Sequence, residues 1–245
     1  MSDVISPAHE KQHEDEFQQM VYGISHDLGA PLRSVVRLSQ LLQDRVKDKL
    51  DEKEKYWLDL IINGGEQAQA MIDGLLTYSR LINHVADIDS VNLTEIIAKV
   101  ADKEIEKFYQ AYIQSARNIN FQYESENFVV TGVYHHWLLL IQSIVENATL
   151  YQPLDSEQDL NVICTLSMKE QRLILCVEDN GIGVSDEQKK YITRPFMRGQ
   201  SPQDYPGIGM GLAFCQRIAK INDGELRFED SPLGGLKVIY SVNVS

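Results

Sequence analysis

Residues 172–184 read RLILCVEDNGIGV, an apolar run followed directly by an aspartate and two spaced glycines. The run has the composition of a buried strand. A similar run, NVICTLSM (161–168), lies just before it, so the two segments are predicted to pair as a β-hairpin. The other expected elements are helices over about 93–117, 134–151 and 212–222 and strands near 127–130, 225–230 and 237–244. This mixture predicts an α/β sandwich, one sheet layered with helices, within an α+β chain.

The N-terminal part of the chain shows the spacing of two long amphipathic helices instead. Their apolar residues recur every three or four positions, or at sums of these, on either side of the charged turn KDKLDEKEK (47–55). The positions are Phe17, Val21, Ile24, Leu28, Leu32, Val35, Leu42 and Val46, then Trp57, Ile61, Gly64, Ala68, Met71, Leu75, Tyr78 and Ile82. Each helix has one apolar stripe, so two such hairpins would most simply pair as a four-helix bundle, and a homodimer is expected. Packing of the hairpin against the rest of its own chain is the alternative.

These patterns predict four segments along the chain. They are a flexible N-terminus (1–16), the helical hairpin (17–83), a short polar linker (84–92) and the sandwich domain (93–245). The sixteen residues before Phe17 are too few to fold a sensory module, so any input is expected to come from a separate protein.

Composition excludes several classes of protein. The 245 residues carry 23 Lys and Arg against 36 Asp and Glu, a formal charge of −13, which disfavours non-specific binding to nucleic acid. No apolar run is long enough for a membrane span, and the polar start has no signal-peptide core, so a cytoplasmic protein is expected. The odd number of cysteines, Cys164, Cys176 and Cys215, favours reduced thiols.

The first helix carries the octet Ser25-His26-Asp27-Leu28-Gly29-Ala30-Pro31-Leu32. His26 lies about 200° around the helix from the apolar stripe and should face solvent. An exposed imidazole beside a carboxylate suits a nucleophile that Asp27 orients or deprotonates. Arg33 and Arg37 follow and could attract a phosphate or an acidic partner. A lone histidine with these properties would more often be an ordinary surface residue.

Further motifs follow in the sandwich domain, and each is weak by itself. In chain order they are Glu146-Asn147-Ala148, Asp179-Asn180-Gly181-Ile182-Gly183, Pro195-Phe196-Met197-Arg198, Gly207-Ile208-Gly209-Met210-Gly211-Leu212 and Leu233-Gly234-Gly235.

Together, these motifs and their order resemble the phosphoacceptor and ATP-binding boxes of sensor histidine kinases. The resemblance implies a dimeric phosphotransfer hairpin followed by an ATP-binding domain of the gyrase/Hsp90/histidine-kinase type, with ATP and Mg²⁺ bound. It implies that His26 accepts the phosphoryl group beside Asp27 and passes it to a response regulator that docks near Arg33 and Arg37. For the other boxes it implies Mg²⁺ at Asn147, adenine at Asp179, Gly181 and Gly183, the γ-phosphate at Arg198, and phosphates at the segment containing Gly207, Gly209, Gly211 and Leu212.

The sequence departs from the family pattern at three positions. Ser143 and Leu150 stand where an Asn and a Lys are common, which leaves open a phosphotransfer scaffold with a degenerate ATP domain. Ala30 stands where a Thr or Asn usually positions water, which predicts weak phosphatase activity. A serine kinase or ATPase of the same superfamily is a further alternative for the activity. The expected source of the input signal is a separate sensor protein, and haem gas sensors are one class of such sensors.

Overall fold

The computed structural model describes residues 7–83, 87–111, 117–123, 127–153, 156–201 and 204–244, with the side chains of the first range described over 16–81. The chain divides into two compact units, Met1–His84 and Val85–Ser245. No helix among these described ranges is both long and apolar enough to cross a bilayer.

The first unit is a hairpin of two long helices, α1 (Pro7–Val46) and α2 (Glu52–Asn83). The start of α2 is fixed by a reciprocal pair, because the Glu54 N–H donates to Asp51 Oδ1 at 2.8 Å and the Asp51 N–H donates to Glu54 Oε2 at 2.9 Å. The start of α1 lies ten residues before the predicted boundary at Phe17. Proline suits the first helical position because an N–H there would have no acceptor within the helix, so the lack of one costs nothing. Good helix formers follow it.

The two helices contact each other through Val21 of the predicted apolar stripe and through positions beside that stripe. Val21 and Ile62 are buried, and a Cβ at Gly65 would lie 2.5 Å from Val36 Cγ2. Much of the predicted stripe is exposed in the single chain, namely Ile24, Leu28, Val35, Leu42, Trp57, Ile61 and Met71. The apolar surface of each helix is therefore wider than its partner in the hairpin covers, and we call these seven residues the outer seam.

The second unit is an α/β sandwich, as predicted. Its elements are β1 (Asp89–Asn92), α3 (Leu93–Ala111), β2 (Ile119–Tyr123), β3 (Val129–Gly132), α4 (Tyr134–Leu150), β4 (Leu160–Lys169), β5 (Arg172–Asp179), α5 (Asp186–Lys189), α6 (Gly211–Ile221), β6 (Glu225–Asp230) and β7 (Leu236–Asn243). The main sheet has the order β2-β4-β5-β7-β6, with only β2 and β4 parallel, and β1 pairs with β3 in a separate ladder. The predicted hairpin is β4–β5, and both of its turn residues, Glu170 and Gln171, have positive φ.

Helices cover one face of the main sheet. Alternate residues of β4 and β5 are buried, including Val162, Leu166 and Leu175, while the residues between them are only half-buried. The helix α4 contacts β4 and β5, α6 contacts β6 and β7, and α3 contacts β2. Because β5 ends at Asp179, this carboxylate lies at the edge of the layer between the sheet and α4.

The sequence prediction differs from the structure in the small elements. The strand β1 lies inside the predicted linker, and β2 was not predicted. The sequence of β1, DSVN, has a single apolar residue, so its pairing with β3 and the burial of Val91 depend on tertiary contacts. The helix α3 is described over Leu93–Ala111, and the remainder of the predicted helix, residues 112–116, lies outside the described ranges.

Candidate active site

The first candidate site is the His26–Asp27 pair on α1. Both side chains are exposed, 77% for His26 and 81% for Asp27, and His26 Nδ1 lies 3.1 Å from Asp27 Oδ1. At this exposure the contact contributes little to stability. A proton on Nδ1 that is donated to Asp27 leaves the lone pair of Nε2 directed away from the carboxylate, so the pair can present a nucleophilic nitrogen to solvent.

A groove between α1 and α2 begins one helical turn after His26. Its walls include Arg33 and Arg37 from α1, and Glu66 and Asp73 from α2. The two arginines that were predicted to attract a phosphate or an acidic partner therefore share the groove with two carboxylates. Ala30 lies at the end of the groove nearest His26 and offers only a methyl group.

The second candidate site is a pocket between α4, the end of β5 and the glycine-rich segment that precedes α6. Six of the predicted residues line it: Asn147, Asp179, Gly183, Gly209, Gly211 and Leu212. Much of the remaining wall is apolar, with Ile144, Val177, Ile182, Ile192, Met197, Leu236 and Val238. Segments far apart in the sequence thus meet around one cavity with a few polar groups, which is the usual composition of a small-molecule site.

Asp179 is a buried carboxylate with one oxygen already satisfied. Its Oδ1 accepts hydrogen bonds from the N–H groups of Gly181, at 2.8 Å, and Leu236, at 3.1 Å. Burial raises the pKa of Asp179 to about 6, and the two N–H donors oppose the shift. Neither of these bonds uses Oδ2, so this oxygen can accept a hydrogen bond from a ligand in the pocket.

The last glycine motif encloses Asp179. A Cβ at Gly235 would lie 2.0 Å from Asp179 Oδ1, and the Gly235 N–H donates to the Asp179 carbonyl at 3.1 Å. Only glycine allows the loop before β7 to approach the carboxylate this closely. Gly181 does not line the pocket; its part in the site is the N–H that holds Asp179 Oδ1.

The lid, which we define as residues 190–201 and 204–210 between α5 and α6, lies over one side of the pocket. Its residues Met197, Gly199 and Gln200 line the cavity. Gly209 has φ of +72°, and a Cβ there would lie 2.5 Å from the Met197 carbonyl oxygen, so glycine is required where the lid folds back on itself.

Two predicted lid residues do not line the pocket in this structure. The Arg198 guanidinium donates to the backbone carbonyl of Tyr205. Gly207 is exposed and has φ of +126°. The pocket wall is therefore formed by the residues next to Arg198 rather than by its guanidinium.

The helix α4 places Asn147 in the pocket and directs the neighbouring Glu146 away from it. Glu146 accepts from Lys107 at 3.1 Å and from Gln142 at 2.8 Å, so its carboxylate is engaged on the α3 side. Ser143 is buried beside α6, and a Cβ added to Gly211 would lie 3.5 Å from the Ser143 Cβ. Neither Ser143 nor Leu150 lines the pocket. These two departures from the family pattern therefore do not remove the polar groups of Asn147 and Asp179 from the pocket wall.

Tyr151 and Gln188 are among the pocket residues that sequence reasoning missed. Tyr151 follows Asn147 by four positions, so the helical period could have placed both on one face. Gln188 closes a capping box with Ser185, and its Nε2 donates to the Gly199 carbonyl at 3.2 Å. A capping signal indicates a helix start, but it gives no hint that the same side chain contacts the lid.

Two family models match the chain. The model described as His Kinase A (phospho-acceptor) domain matches residues 18–84, and the model described as histidine kinase-, DNA gyrase B-, and HSP90-like ATPase matches residues 132–245.

Individual relatives match most of the chain. Phytochrome-like protein Cph1 of Synechocystis sp. is 25% identical over 94% of this chain and 29% of its own length. Sensor protein RstB of Escherichia coli is 28% identical over 91% of this chain and 48% of its own length. The crystal structure of full-length ShkA in complex with AMPPNP superimposes with a TM-score of 0.69 at 17% identity, covering 93% of this chain and 46% of that one. This chain therefore spans less than half the length of these relatives.

Proposed function

Because this chain belongs to the sensor histidine kinases of two-component systems, we propose that it binds ATP, transfers the γ-phosphoryl group to His26 and passes that group to an aspartate of a response regulator. The observation that carries this proposal is the pocket, which gathers Asn147, Asp179 and three motif glycines from distant segments. Transfer of label from γ-labelled ATP to His26 tests it.

Asp179 is the proposed recognition group for adenine. The exocyclic amino group of adenine is a donor, and Asp179 Oδ2 is an acceptor that the backbone leaves available. The apolar wall formed by Ile144, Ile182 and Val238 suits the faces of a purine ring. An acceptor in this apolar pocket rejects bases that cannot donate, since the carboxylate would then stay buried without a partner.

Adenosine affinity should fall at low pH. The pKa of Asp179 is about 6 in the ligand-free protein, and a hydrogen bond from the adenine favours the ionised form, so binding should release protons near pH 6. We expect affinity to be constant above about pH 7 and to weaken by up to about tenfold per pH unit below 6. Calorimetry with adenosine from pH 5 to 8, in two buffers of different ionisation enthalpy, measures both effects. Affinity that is constant or tighter at pH 5 contradicts the assignment.

Asn147 is the proposed protein ligand for Mg²⁺. The cation prefers oxygen ligands and usually keeps waters and phosphate oxygens beside one or two protein groups, which fits a single amide at the pocket wall. No cluster of three or more His, Cys, Asp or Glu side chains suited to a metal is found within the described part of the chain. Bound there, Mg²⁺ would neutralise phosphate charge.

His26 is the proposed nucleophile. The lone pair on Nε2 attacks the γ-phosphorus, an N–P bond forms, and the bond to the β,γ-bridging oxygen breaks as ADP leaves with that electron pair. The ring becomes cationic, and Asp27, 3.1 Å from Nδ1, accepts the Nδ1 proton or stabilises the charge. The exposure of His26 lets a second protein reach the phosphorylated ring.

The groove after His26 is the proposed docking site for the response regulator. Arg33 and Arg37 supply positive charge for the acidic region that surrounds a phosphoacceptor aspartate, and Glu66 and Asp73 offer partners for basic residues. The source of the input signal stays a prediction from the sequence alone.

The proposed assembly is a homodimer formed by the outer seam. Exposed apolar side chains on both α1 and α2, such as Leu42 and Trp57, would be buried when two hairpins form a four-helix bundle. Each substitution in a twofold dimer acts on both subunits. We expect Ile61→Glu to raise the dimer dissociation constant about 100-fold or more, because it removes apolar contact and introduces charge at both copies of the position.

Light scattering after size-exclusion chromatography measures this effect. Asn63→Glu is the matched control, since Asn63 is exposed on the other side of α2. A wild-type monomer, or a dimer that tolerates Ile61→Glu, would exclude the outer seam as the interface.

A further inference from the structure

Tyr205 is a buried aromatic residue in the lid, between Arg198 and the Gly207–Gly211 motif. Only 6% of its surface is exposed, although its neighbours Asp204 and Pro206 are exposed. When a polar, glycine-rich segment contributes one large buried side chain, that side chain holds the segment against the residues it packs on.

Tyr205 contacts the end of α4 in two ways. Its hydroxyl donates to the Gln152 carbonyl at 2.8 Å in a buried hydrogen bond. Its ring lies against Tyr151 with a centroid distance of 5.3 Å and an interplanar angle of 35°. A third contact stays within the lid, because the Tyr205 carbonyl accepts from Arg198.

The surface that receives Tyr205 is itself held firmly. The Tyr151 N–H donates to the Asn147 carbonyl at 3.2 Å, and the Tyr151 carbonyl accepts from the Ile182 N–H at 3.0 Å. Gln152 is 1% exposed, and its Nε2 donates to the Ala148 carbonyl at 2.7 Å. The α4 terminus, the motif after β5 and the lid therefore meet at one point beside the pocket.

We propose that Tyr205 is a positioning residue that pins the lid to the end of α4 and so keeps Arg198 within reach of the phosphates. The Arg198 guanidinium donates to the backbone carbonyl of Tyr205 itself, and the neighbours of Arg198, Met197 and Gly199, line the pocket. When nucleotide binds, the guanidinium would exchange that carbonyl for a phosphate oxygen. The effect on nucleotide rests on the proposed function, while the pin itself is a property of the protein without ligand.

Cleavage by trypsin within the lid tests the pin without any nucleotide. Tyr205→Phe removes the hydroxyl and keeps the ring, Tyr205→Ala removes both, and Tyr109→Phe removes a hydroxyl from an exposed ring as the control. Mass spectrometry would follow cleavage after Arg198, because trypsin does not cleave the Arg194–Pro195 bond. We expect cleavage about three- to tenfold faster in Tyr205→Phe and faster still in Tyr205→Ala, with other sites changed less than twofold. Equal rates in wild type and Tyr205→Phe overturn the proposal, even if Tyr205→Ala fails to fold.

Calorimetry with a non-hydrolysable ATP analogue and with adenosine then tests positioning. We expect Tyr205→Ala to weaken the analogue about tenfold or more and adenosine less than twofold, with Tyr205→Phe intermediate for the analogue. Equal weakening of both ligands would mean that Tyr205 only supports the pocket, and it overturns the positioning role. If wild type binds neither ligand, the proposed function fails, and the cleavage rates still decide whether the pin exists.

Discussion

Asp179→Asn is expected to weaken adenosine and ATP binding about 100-fold or more while making the ligand-free protein more stable at pH 7.5. Asparagine keeps an oxygen to accept from the N–H groups of Gly181 and Leu236, so its amino group must take the position of Oδ2. A donor would then face the adenine amino group. Stability rises because the buried carboxylate, with its pKa raised to about 6, is ionised at a cost of about 3 kcal/mol.

The stability gain has a definite pH dependence. The pKa of Asp179 is higher in the folded than in the unfolded protein, so wild type loses stability as pH rises from about 4 to 6. The advantage of Asp179→Asn should be complete above about pH 7 and should vanish below about pH 4. Thermal unfolding at pH 4 and 7.5 measures it, with Glu157→Gln, an exposed position, as the control. Normal adenosine affinity in Asp179→Asn, or lower stability at pH 7.5, contradicts the role given to this carboxylate.

His26→Ala is expected to lose all autophosphorylation and to keep its affinity for ATP within about twofold. The side chain is exposed and contacts the equally exposed Asp27, so its removal should change stability by less than about 0.5 kcal/mol. His135→Ala is the matched control, because His135 is also exposed and lies on α4. Phosphoryl incorporation into His26→Ala at the wild-type rate would place the acceptor elsewhere.

The features that could be predicted from the sequence are those with short-range or periodic causes. The hairpin β4–β5 follows from two adjacent apolar runs, and the long helices follow from three- and four-residue spacing. The same spacing could not say which apolar residues face the partner helix, because each helix carries two neighbouring apolar faces; Ile61 is exposed and Ile62 is buried.

The pocket residues also divide into those with a local sequence signal and those placed only by the fold. Its motif residues Asn147 and Asp179 could be found because each belongs to a short pattern with a chemical reason. Tyr205 carries no such pattern, and the capping box of Gln188 indicates only a helix start. Their contacts, Gln188 with the Gly199 carbonyl and Tyr205 with the Gln152 carbonyl, join segments that only the fold brings together. The position of Arg198 depends likewise on the Tyr205 carbonyl, seven residues further along the chain.

The chemical stability of the phosphoryl group tests the central claim most directly. Wild type and His26→Ala would be incubated with γ-labelled ATP and Mg²⁺, treated separately with acid and alkali, and mapped by mass spectrometry. The account predicts label on His26 that is lost in acid, survives alkali and is absent from His26→Ala. Acid-stable label on a hydroxyl side chain, or ATP hydrolysis with no label on the protein, would contradict it and favour a serine kinase or an ATPase of the same superfamily.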